Sequence, residues 1–487
     1  MLLTNRGIEL SADLLRKHND YSKLKKLLAR YTIFYKVNRL YTKKILLYQI
    51  IKKENIILLP RQAQKFIHEE HYLPDNISTE LTTTIGYGLP LEIKMNDEYQ
   101  PLDGQKDMYK YLKRNIFTTS NIQQGFASCI LKMPTGTGKT YLALYLMSKI
   151  KKKTLIIVPN RLLLNQWEEA IKKYLILTEP IGKYYTDAKV DQSIMIMIIN
   201  SAISDDFIFT NRENSVKFQD YFKEFGFLII DECHLYTHKS GLSLLRRCQV
   251  RYQLGLSATP EYNKHHTKLL EDCIGPVIDI KTVSNCVSTN WKIETTFVWY
   301  SGSPDYIKPT IDANGNYSYS QMLEQLHNDP DRNALLLKKI DQLYIEGYNI
   351  YVFSMRREHT KGLQATIVRK YGSELVFTED SSVLIGGAKK EDFIKALTKS
   401  RIIFTTYQYA SCGISLIKMN ACVFASPKRS NFEQIIGRIL RHGSDTTIVR
   451  KVIDIIDCST FLRRQHTDRK KVYQAYKAKI INEHIQA

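Results

Sequence analysis

The sequence predicts an α/β protein in which two tandem lobes, each built on a parallel sheet, follow a small basic N-terminal domain. Short apolar runs alternate with helical stretches from about residue 96 to 290, an alternation typical of βαβ units. The same alternation of predicted strands and helices occurs over 291–487. A chain of 487 residues also exceeds what one hydrophobic core usually serves, which favours two or three domains.

Strands of the first lobe, 96–290, are predicted where the chain carries short runs of apolar and β-branched residues. Helices cover both faces of a parallel sheet, so its strands read as continuous apolar runs rather than alternating ones. The runs lie at 129–133, 154–158, 194–199, 225–230 and 252–256.

The second lobe, 291–487, repeats this pattern. Helices are predicted at 331–344 and 431–440, and strands at 349–353, 401–405, 421–425 and 451–456. The Gly-, Ser- and Asn-containing segment 284–316 is interpreted as a linker with an irregular connection, and the residues after 460 as a short basic tail.

The N-terminal zone, residues 1–95, is strongly basic, with 15 Lys and Arg against 6 Asp and Glu in its first 70 residues. Tyrosines interleave with lysines between Tyr21 and Ile51. Two interpretations stay open at this point. One is an accessory DNA-binding surface with stacking aromatics, and the other is a small domain with core tyrosines and solvated lysines.

Composition excludes several classes of protein. No apolar run reaches the roughly 20 residues of a membrane helix, and the N-terminus lacks the layout of a signal peptide. The eight cysteines are scattered without a C-x-x-C pair, which supports neither a disulfide framework nor a zinc ribbon. We therefore expect an intracellular protein. Its net charge of +21 predicts affinity for a polyanion, most simply a nucleic acid.

A phosphate-binding loop follows the first predicted strand. Its seven residues, Pro134-Thr135-Gly136-Thr137-Gly138-Lys139-Thr140, lead into a helical run. The glycines let backbone N–H groups face ATP phosphates, Lys139 can reach the β- and γ-phosphates, and Thr140 can ligate Mg²⁺. The general pattern has glycine where this chain has Met133.

Paired carboxylates follow the strand 225–230, in the sequence Asp231-Glu232-Cys233-His234. If this strand lies beside the P-loop strand, Asp231 can hold Mg²⁺ and Glu232 can orient or deprotonate the attacking water. Ser257 and Thr259, at the end of the next strand, are the expected hydrogen-bond partners of His234 and would couple it to the site.

With these motifs the chain resembles the superfamily 2 helicases of the Asp-Glu-x-His kind, over about residues 100 to 480. The resemblance implies two RecA-like lobes that use ATP and Mg²⁺. Gln105 matches the family glutamine that reads adenine. The segment from Leu155 to Trp167 looks like the family's motif Ia, which contacts the nucleic-acid backbone, and Asn200-Ser201 is a weaker match to motif Ib. These matches imply nucleic-acid contacts by Pro159, Asn160, Arg161 and Asn200.

Three motifs of the second lobe extend this resemblance. Residues 349–357 look like motif IV, with Ser354 and Arg356 facing the tracked strand. Thr405-Thr406 followed by 411–415 resembles motif V, which implies nucleic-acid contacts by the threonines and a nucleotide contact by Gly413. Ser415 stands where many members have Asp, so that contact is not assigned.

Gln434, Arg438 and Arg441 are the strongest match of the second lobe. Their spacing of i, i+4 and i+7 places them on one face of a predicted helix. An amide and two guanidinium groups on that face could act on the triphosphate, and arginine fingers contribute on the order of 10³–10⁵ in rate.

The group resembled most includes the phage branch-migration helicase and the poxviral transcript-release helicase. It implies a DNA helicase or translocase, typically 3′→5′, acting in viral transcription termination, repair or recombination with viral transcription or replication proteins. Such a protein would work in the cytoplasm, in a viral factory or virion. An RNA or RNA–DNA hybrid helicase stays open as the alternative. A nuclease is disfavoured because no carboxylate cluster suggestive of one lies outside the ATPase motifs.

Overall fold

The computed structural model describes most of the chain. The described residues are 2–4, 7–13, 21–36, 42–69, 80–81, 93–125, 127–185, 188–248, 250–260, 264–284, 291–311, 315, 317–371, 380–411, 416–428, 432–441, 444–458 and 460–485. The chain divides into two compact units. The first comprises Met1–Pro134 and Gly138–Val287, and the second comprises Thr135–Thr137 and Ser288–Ala487.

The N-terminal zone contributes seven strands to the first unit. They are β1 Leu2–Thr4, β2 Gly7–Ser11, β3 Thr32–Lys36, β4 Thr42–Leu46, β5 Gln49–Ile51, β6 Ile56–Leu59 and β7 Glu80–Leu81, with helices at Tyr21–Arg30 and Ala63–Glu69. Five of them form a sheet of order β5-β6-β2-β1-β7, and β3 pairs with β4 as an antiparallel hairpin.

Arg61 ties this zone to the rest of the first unit. Its guanidinium is fully buried, and its Nε donates to the Gly125 carbonyl at 2.6 Å. Its two terminal nitrogens donate to the Val250 and Arg251 carbonyls. Carbonyl partners satisfy the donors of a buried cation but leave its charge without an anion, and burial lowers the pKa of Arg61 to about 9. The N-terminal zone is therefore docked on the first lobe.

The central sheet of the first unit has eight strands. The strands from residue 94 onwards are β8 Lys94–Met95, β9 Ser128–Lys132, β10 Thr154–Val158, β11 Leu175–Ile176, β12 Gly182–Tyr185, β13 Ala188–Val190, β14 Ile194–Ile198, β15 Asp206–Phe207, β16 Val216–Lys217, β17 Phe227–Ile230, β18 Tyr252–Ser257 and β19 Val277–Asp279. The central order is β13-β12-β14-β10-β17-β18-β9-β19, and every pair is parallel except β12 with β13. All residues of β10, β14 and β17 are buried, as the continuous apolar runs predict.

Helices connect these strands and cover the sheet. They are Asp103–Asn115, Thr119–Gln124, Lys139–Ile150, Arg161–Tyr174, Ile199–Ala202, Phe218–Phe222, Lys239–Arg247, Lys264–Cys273 and Ile280–Val283, with a 3₁₀ helix at Cys233–Thr237. Their apolar residues join the same buried core as the strands.

The second unit carries a seven-stranded sheet in which every described pair is parallel. Its strands are β20 Ile293–Tyr300, β21 Ile350–Ser354, β22 Ser381–Leu384, β23 Ile402–Thr406, β24 Ala421–Phe424, β25 Arg450–Asp457 and β26 Lys479–Ile485. Their order is β22-β23-β21-β24-β25-β20-β26. Its helices are Tyr319–Asn328, Pro330–Ile345, Arg357–Tyr371, Lys390–Thr398, Tyr407–Ser411, Phe432–Ile436 and Gln465–Ala475, with a 3₁₀ helix at Phe461–Arg464. The two parallel sheets confirm the predicted α/β fold class.

Two interpretations of the second lobe are wrong. The segment interpreted as a linker contains β20. This strand pairs with β25 over its whole length and with β26 over all but its first residue. The residues taken as a basic tail form a helix and the edge strand β26, and Arg469 in that helix is buried with its Nε 2.9 Å from Asp454 Oδ2. Its charge is neutralised inside the fold rather than solvated.

The helix predicted over 431–440 is also shorter than expected, since it ends at Ile436. The amide groups of Arg438, Ile439 and Leu440 bond three residues back instead of four. Gly437 lies where the pattern changes, and glycine is a weak helix former. Arg438 and Arg441 therefore lie in turns after the helix and do not share a helical face with Gln434.

No helix among the described residues is long and apolar enough to cross a bilayer.

Candidate ATPase site and nucleic-acid interface

The predicted site residues of the first unit gather at one edge of its sheet. Because β14, β10, β17, β18 and β9 are neighbours and run parallel, the loops that follow them leave from the same side. Ligands of open parallel sheets bind at this carboxyl edge. The edge carries, in that order, the segments that begin at Asn200, Pro159, Asp231, Ser257 and Pro134.

The phosphate loop has the backbone that the glycine pattern predicts. Gly136 and Gly138 have φ values of 84° and 83°, in the left-handed region that favours glycine. A Cβ on Gly138 would lie 2.2 Å from Gln105 Nε2, so the position has no room for a side chain. Lys139 begins the helix Lys139–Ile150, and its Nζ donates to the Met133 carbonyl at 3.0 Å. The ammonium is thereby held against the loop that it is predicted to serve.

Gln105 joins this loop to the preceding helix. Its Oε1 accepts from the Leu102 N–H at 2.9 Å, and its Nε2 donates to the Gly138 carbonyl at 3.3 Å. The side chain is 4% exposed. The structure thus brings Gln105 to the phosphate loop, while adenine reading stays a prediction.

Asp231 is a buried carboxylate with two donors. Trp167 Nε1 donates to Oδ2 at 2.8 Å, and the Glu232 N–H donates to Oδ1 at 2.9 Å. Burial, and next the neighbouring Glu232 charge, raise the pKa of Asp231 to about 6, while Trp167 and Lys139 oppose the rise. Two acidic groups placed side by side in a buried position favour a cation between them and the phosphates.

Glu232 has an unusual backbone. Its φ of 47° and ψ of 48° are left-handed, which costs a non-glycine residue on the order of 1–3 kcal/mol. Strain of this kind persists where the surrounding structure holds it, often at functional sites. Here it turns the chain sharply from β17 into the 3₁₀ helix Cys233–Thr237, so that two successive carboxylates leave the strand end.

These residues fit the expected ATP and Mg²⁺. The loop around Gly136 and Gly138 has the conformation that presents backbone N–H groups to phosphates. A Mg²⁺ ion bound with ATP needs only one or two protein ligands besides the substrate phosphates. Asp231 and Thr140 are the residues that would hold it.

His234 is held beside the carboxylates. Its Nδ1 lies 3.0 Å from Ser257 Oγ and 3.4 Å from Glu232 Oε2. Burial, and then the Lys139 charge, lower the pKa of His234 to about 4, so the ring is neutral near pH 7. Ser257 Oγ also accepts from the Thr259 N–H at 3.1 Å. The Thr259 hydroxyl has no hydrogen bond within the part of the chain that the structure describes. The structure therefore places His234 within hydrogen-bond distance of Ser257. Thr259 is linked to His234 only indirectly, because its backbone N–H donates to the same Ser257 hydroxyl.

The predicted nucleic-acid residues of the first unit lie on the same edge and at its surface. Asn160 caps the helix Arg161–Tyr174, accepting from the Leu163 N–H at 3.0 Å. Arg161 is exposed, with its guanidinium carbon 5.3 Å from the centroid of the Tyr185 ring. Asn200 is exposed in the helix that follows β14. Pro159 is half-buried in the turn before the cap.

Trp167 lies at the candidate site, although sequence reasoning assigned it no role there. It lies in the helix that begins at Arg161, is 1% exposed, and donates to Asp231. One rigid helix thus connects the predicted nucleic-acid contact to a predicted Mg²⁺ ligand. From the sequence alone, a tryptophan on the apolar face of a helix is interpreted as a core residue. Only the folded structure shows which group its indole N–H contacts.

In the second unit the structure corrects three predicted nucleic-acid contacts. Ser354, Thr405 and Thr406 are buried, at 1%, 0% and 6% exposed. The Thr405 hydroxyl donates to the Leu384 carbonyl at 2.6 Å. Thr405 thereby links β23 to β22, and the Thr406 hydroxyl accepts from the Tyr409 N–H at 3.3 Å.

Ser354 is part of a buried polar network. Its Oγ lies 3.0 Å from His359 Nδ1 and 3.1 Å from Ser426 Oγ. His327 Nε2 lies 2.7 Å from Ser426 Oγ, and the two imidazole rings stack with centroids 4.1 Å apart. The Met355 N–H also donates to Ser426 Oγ at 3.1 Å. The network fixes the turn that presents Arg356, which is partly exposed and donates to the Ser320 carbonyl at 2.9 Å.

Gln434 and Arg438 are also buried, at 1% and 4% exposed, and Arg441 is half-buried. Burial raises the pKa of Tyr351 to about 12, against the opposing charges of Arg441 and Arg438. The charges of both guanidinium groups therefore act on Tyr351 in β21, the third strand of the second sheet. Their predicted action on ATP stays a prediction. Gly413 lies outside the described residues.

A cavity of about 570 Å³ in the second unit was not predicted. It lies after β22, where a Cβ on Gly386 would be 2.6 Å from Arg357 Nη2. Its lining is of mixed charge, since Glu358 and Asp392 lie there with three basic residues and Lys361 pairs with Glu358 at 3.1 Å. The residues that line it include Arg357, Lys361, Gly386, Gly387, Asp392 and Lys395.

Comparison with known proteins agrees with this site. The family described as "Type III restriction enzyme, res subunit" matches residues 98–262, the segment that contains Gln105, the phosphate loop and both acidic residues. A protein of African swine fever virus that is named as an ATP-dependent RNA helicase is 29% identical over 365 residues, covering 71% of this chain and 68% of that protein. A transcript termination protein of Yaba monkey tumor virus is 24% identical over 357 residues, covering 69% and 67%.

The fold is likewise that of a known structure. The chain is similar to S. cerevisiae Dbp5 bound to RNA and ADP BeF3, with a TM-score of 0.50 and 13% identity, over 80% of this chain and 95% of that one. This likeness shows two RecA-like lobes. In its site geometry and in its viral relatives the chain is similar to the superfamily 2 helicases of large DNA viruses, which are nucleic-acid-dependent ATPases.

Proposed function

We propose that this helicase is an ATP-driven translocase that works on DNA and releases or remodels strands during viral transcription, repair or recombination. The observation that carries the proposal is the hydrogen bond from Trp167 to Asp231, because it joins a predicted nucleic-acid contact to the ATP site. The transcript termination protein of Yaba monkey tumor virus supports a role in transcription.

The ATP chemistry follows from the residues at the edge of the first sheet. Lys139 leaves the Met133 carbonyl and pairs with the β- and γ-phosphates, while the loop N–H groups hold the remaining oxygens. Thr140 and Asp231 would hold Mg²⁺, which would supply charge neutralisation at the phosphates. Glu232 orients a water for attack on the γ-phosphorus and accepts its proton at a carboxylate oxygen.

Nucleic acid acts on this chemistry through the helix Arg161–Tyr174. A polynucleotide that binds Asn160 and Arg161 presses on the first turn of that helix, and Trp167 lies two turns further on, against Asp231. A shift of the helix along its axis changes the position of the Asp231 carboxylate. ATPase turnover is thereby made dependent on nucleic acid. The 3′→5′ direction is proposed from the family resemblance.

DNA is favoured over RNA as the tracked polymer because the motifs Asp231-Glu232-Cys233-His234 and Gln434 to Arg441 resemble those of the DNA-acting helicases. An RNA or RNA–DNA hybrid substrate is the second candidate, and the name of the African swine fever virus relative favours it. The partners would be viral transcription or replication proteins. The site of action would be a viral factory in the cytoplasm, or the virion.

The test is ATPase turnover of the full chain with single-stranded DNA, duplex DNA, RNA and an RNA–DNA hybrid side by side at fixed salt. Single-stranded DNA should stimulate turnover most. Greater stimulation by RNA would transfer the proposal to the second candidate. No stimulation by any polymer would overturn the assignment of a translocase.

A further inference from the structure

We propose that Tyr317 and Phe461 form a base-stacking site for single-stranded nucleic acid at the carboxyl edge of the second sheet. The inference deepens the proposed function, on which it rests, by adding a contact that no motif indicates. The two rings pack against each other with centroids 3.9 Å apart and planes 34° apart. Tyr317 is nevertheless 51% exposed and Phe461 is 38% exposed.

The hydrophobic core does not need this pair. Directly beside Phe461, Leu462 packs with Met322, Leu323 and Leu326 of the helix Tyr319–Asn328 in a small core of its own, and all four are at most 7% exposed. Neither Tyr317 nor Phe461 belongs to that small core, and both are exposed. Ile311, which pairs with Tyr317 through a β-bridge, is 60% exposed and adds to the apolar surface. Contiguous apolar side chains at the surface can mark an interaction site.

The positive charge beside the aromatic pair favours nucleic acid as the molecule that binds there. The guanidinium carbon of Arg464 lies 5.7 Å from the centroid of the Phe461 ring, whereas that of Arg463 lies 5.7 Å from the centroid of the Trp299 ring. An aromatic face bordered by an arginine can bind a single strand, because a base stacks on the ring while a phosphate pairs with the cation.

The position in the fold agrees with that occupant. β25 ends at Asp457, shortly before Phe461, and the Tyr319 hydroxyl donates to the Pro427 carbonyl at 3.5 Å, just past the end of β24. The pair therefore lies at the same carboxyl edge as Arg356 after β21 and the cavity after β22. Four interstrand steps separate β22 from β25, a distance of about 19 Å. An extended nucleic-acid strand lying along this edge would contact the cavity, Arg356 and the aromatic pair in turn.

The test compares two probes on the full chain, a fluorescein-labelled oligo(dT) and an oligomer of equal length whose central nucleotides lack bases. Fluorescence anisotropy gives Kd for each. Tyr317→Ala and Phe461→Ala should weaken oligo(dT) binding by about tenfold, the smaller end of base–aromatic stacking, and leave the abasic probe unchanged. Tyr317→Phe and Phe461→Tyr keep a stacking face and should bind as wild type does. Ile345→Ala, at a side chain 77% exposed, is the matched control for loss of exposed apolar surface.

Equal losses on both probes, or no loss on oligo(dT), would overturn the stacking site; unchanged binding would mean that the pair faces another occupant, such as a protein. Thermal unfolding of each variant identifies those that fail to fold, and the conservative pair then decides. The outcome is separable from the proposed function, because that function fails only if no nucleic acid stimulates wild-type ATPase.

Discussion

Trp167→Phe tests whether the helix that carries the nucleic-acid contact also controls the ATP site. Phenylalanine keeps the aromatic packing of a side chain that is 1% exposed but removes the N–H that donates to Asp231 Oδ2 at 2.8 Å. Asp231 is then left with the Glu232 N–H as its other donor described here. The carboxylate loses both a hydrogen bond and the group that fixes its orientation.

The size of the effect follows from these contacts. A hydrogen bond to a charged group contributes about 1.5–3 kcal/mol, and the smaller ring adds a cavity term, so the free energy of unfolding should fall by about 3 kcal/mol. Loss of an outer partner of a metal ligand typically lowers metal affinity by about 10- to 100-fold. The Mg²⁺ concentration for half-maximal ATPase activity should therefore rise by at least about tenfold.

The assay is ATPase turnover against free Mg²⁺ at saturating ATP and DNA, beside urea unfolding without Mg²⁺. Trp291→Phe is the matched control, since Trp291 is 9% exposed and packs under Arg450 in the second unit. It should lower stability and leave the Mg²⁺ dependence unchanged. If Trp167→Phe did the same, Trp167 would be a packing residue alone and the coupling argument would be refuted.

Three further predictions concern single groups. Lys139→Ala should abolish ATPase activity; turnover within about tenfold of wild type would contradict the phosphate-loop assignment. Arg332→Met should cost about 3–5 kcal/mol by urea unfolding, because it strands the buried Asp457 carboxylate whose partner Nε lies 2.6 Å away; a loss below about 1 kcal/mol would argue against that ion pair. Burial lowers the pKa values of His327 and His359 to about 3 and 2. The unfolded rings titrate near 6.5, so the unfolded state binds more protons below that pH and stability falls, by about 2 kcal/mol per ring at pH 5. Replacing both rings by Gln should flatten urea stability between pH 7 and pH 5, and an unchanged slope would contradict the buried neutral pair.

Much of the fold was predictable because its strands are buried on both faces. Residues 154–158 were predicted as a strand and the structure has Thr154–Val158, an uninterrupted apolar run with one threonine. β20 was missed because Glu294, Thr295 and Thr296 interrupt its apolar pattern, although the two threonines contribute little exposed surface. Buried threonines in a parallel strand resemble a polar connection when only composition is considered.

The candidate site could likewise be predicted only in part. Local motifs located Lys139, Asp231 and Glu232, because each of these residues follows the end of a predicted strand at a spacing that the sequence shows. The partnership of Trp167 with Asp231 joins residues 64 positions apart, and no local pattern records it. Ser354 and Thr405 were taken as surface contacts since hydroxyls at a strand end look available, whereas helices and neighbouring turns cover them.

The helix that was predicted through Arg438 and Arg441 failed for a local reason. The i, i+4, i+7 spacing fits a helical face, but the backbone tightens into three-residue turns after Ile436. The spacing of side chains in the sequence shows which residues could share a helical face. It does not show where a short helix ends, particularly next to a glycine.

The most direct test of the ATP site is hydrolysis by Glu232→Gln, measured beside binding of a fluorescent ATP analogue. The amide keeps the size of the side chain and removes the base. Analogue binding within about twofold of wild type and turnover lowered by at least about a hundredfold are the predicted results. Turnover within about tenfold of wild type, with binding intact, would show that the carboxylate held in the left-handed turn after β17 does not activate the attacking water.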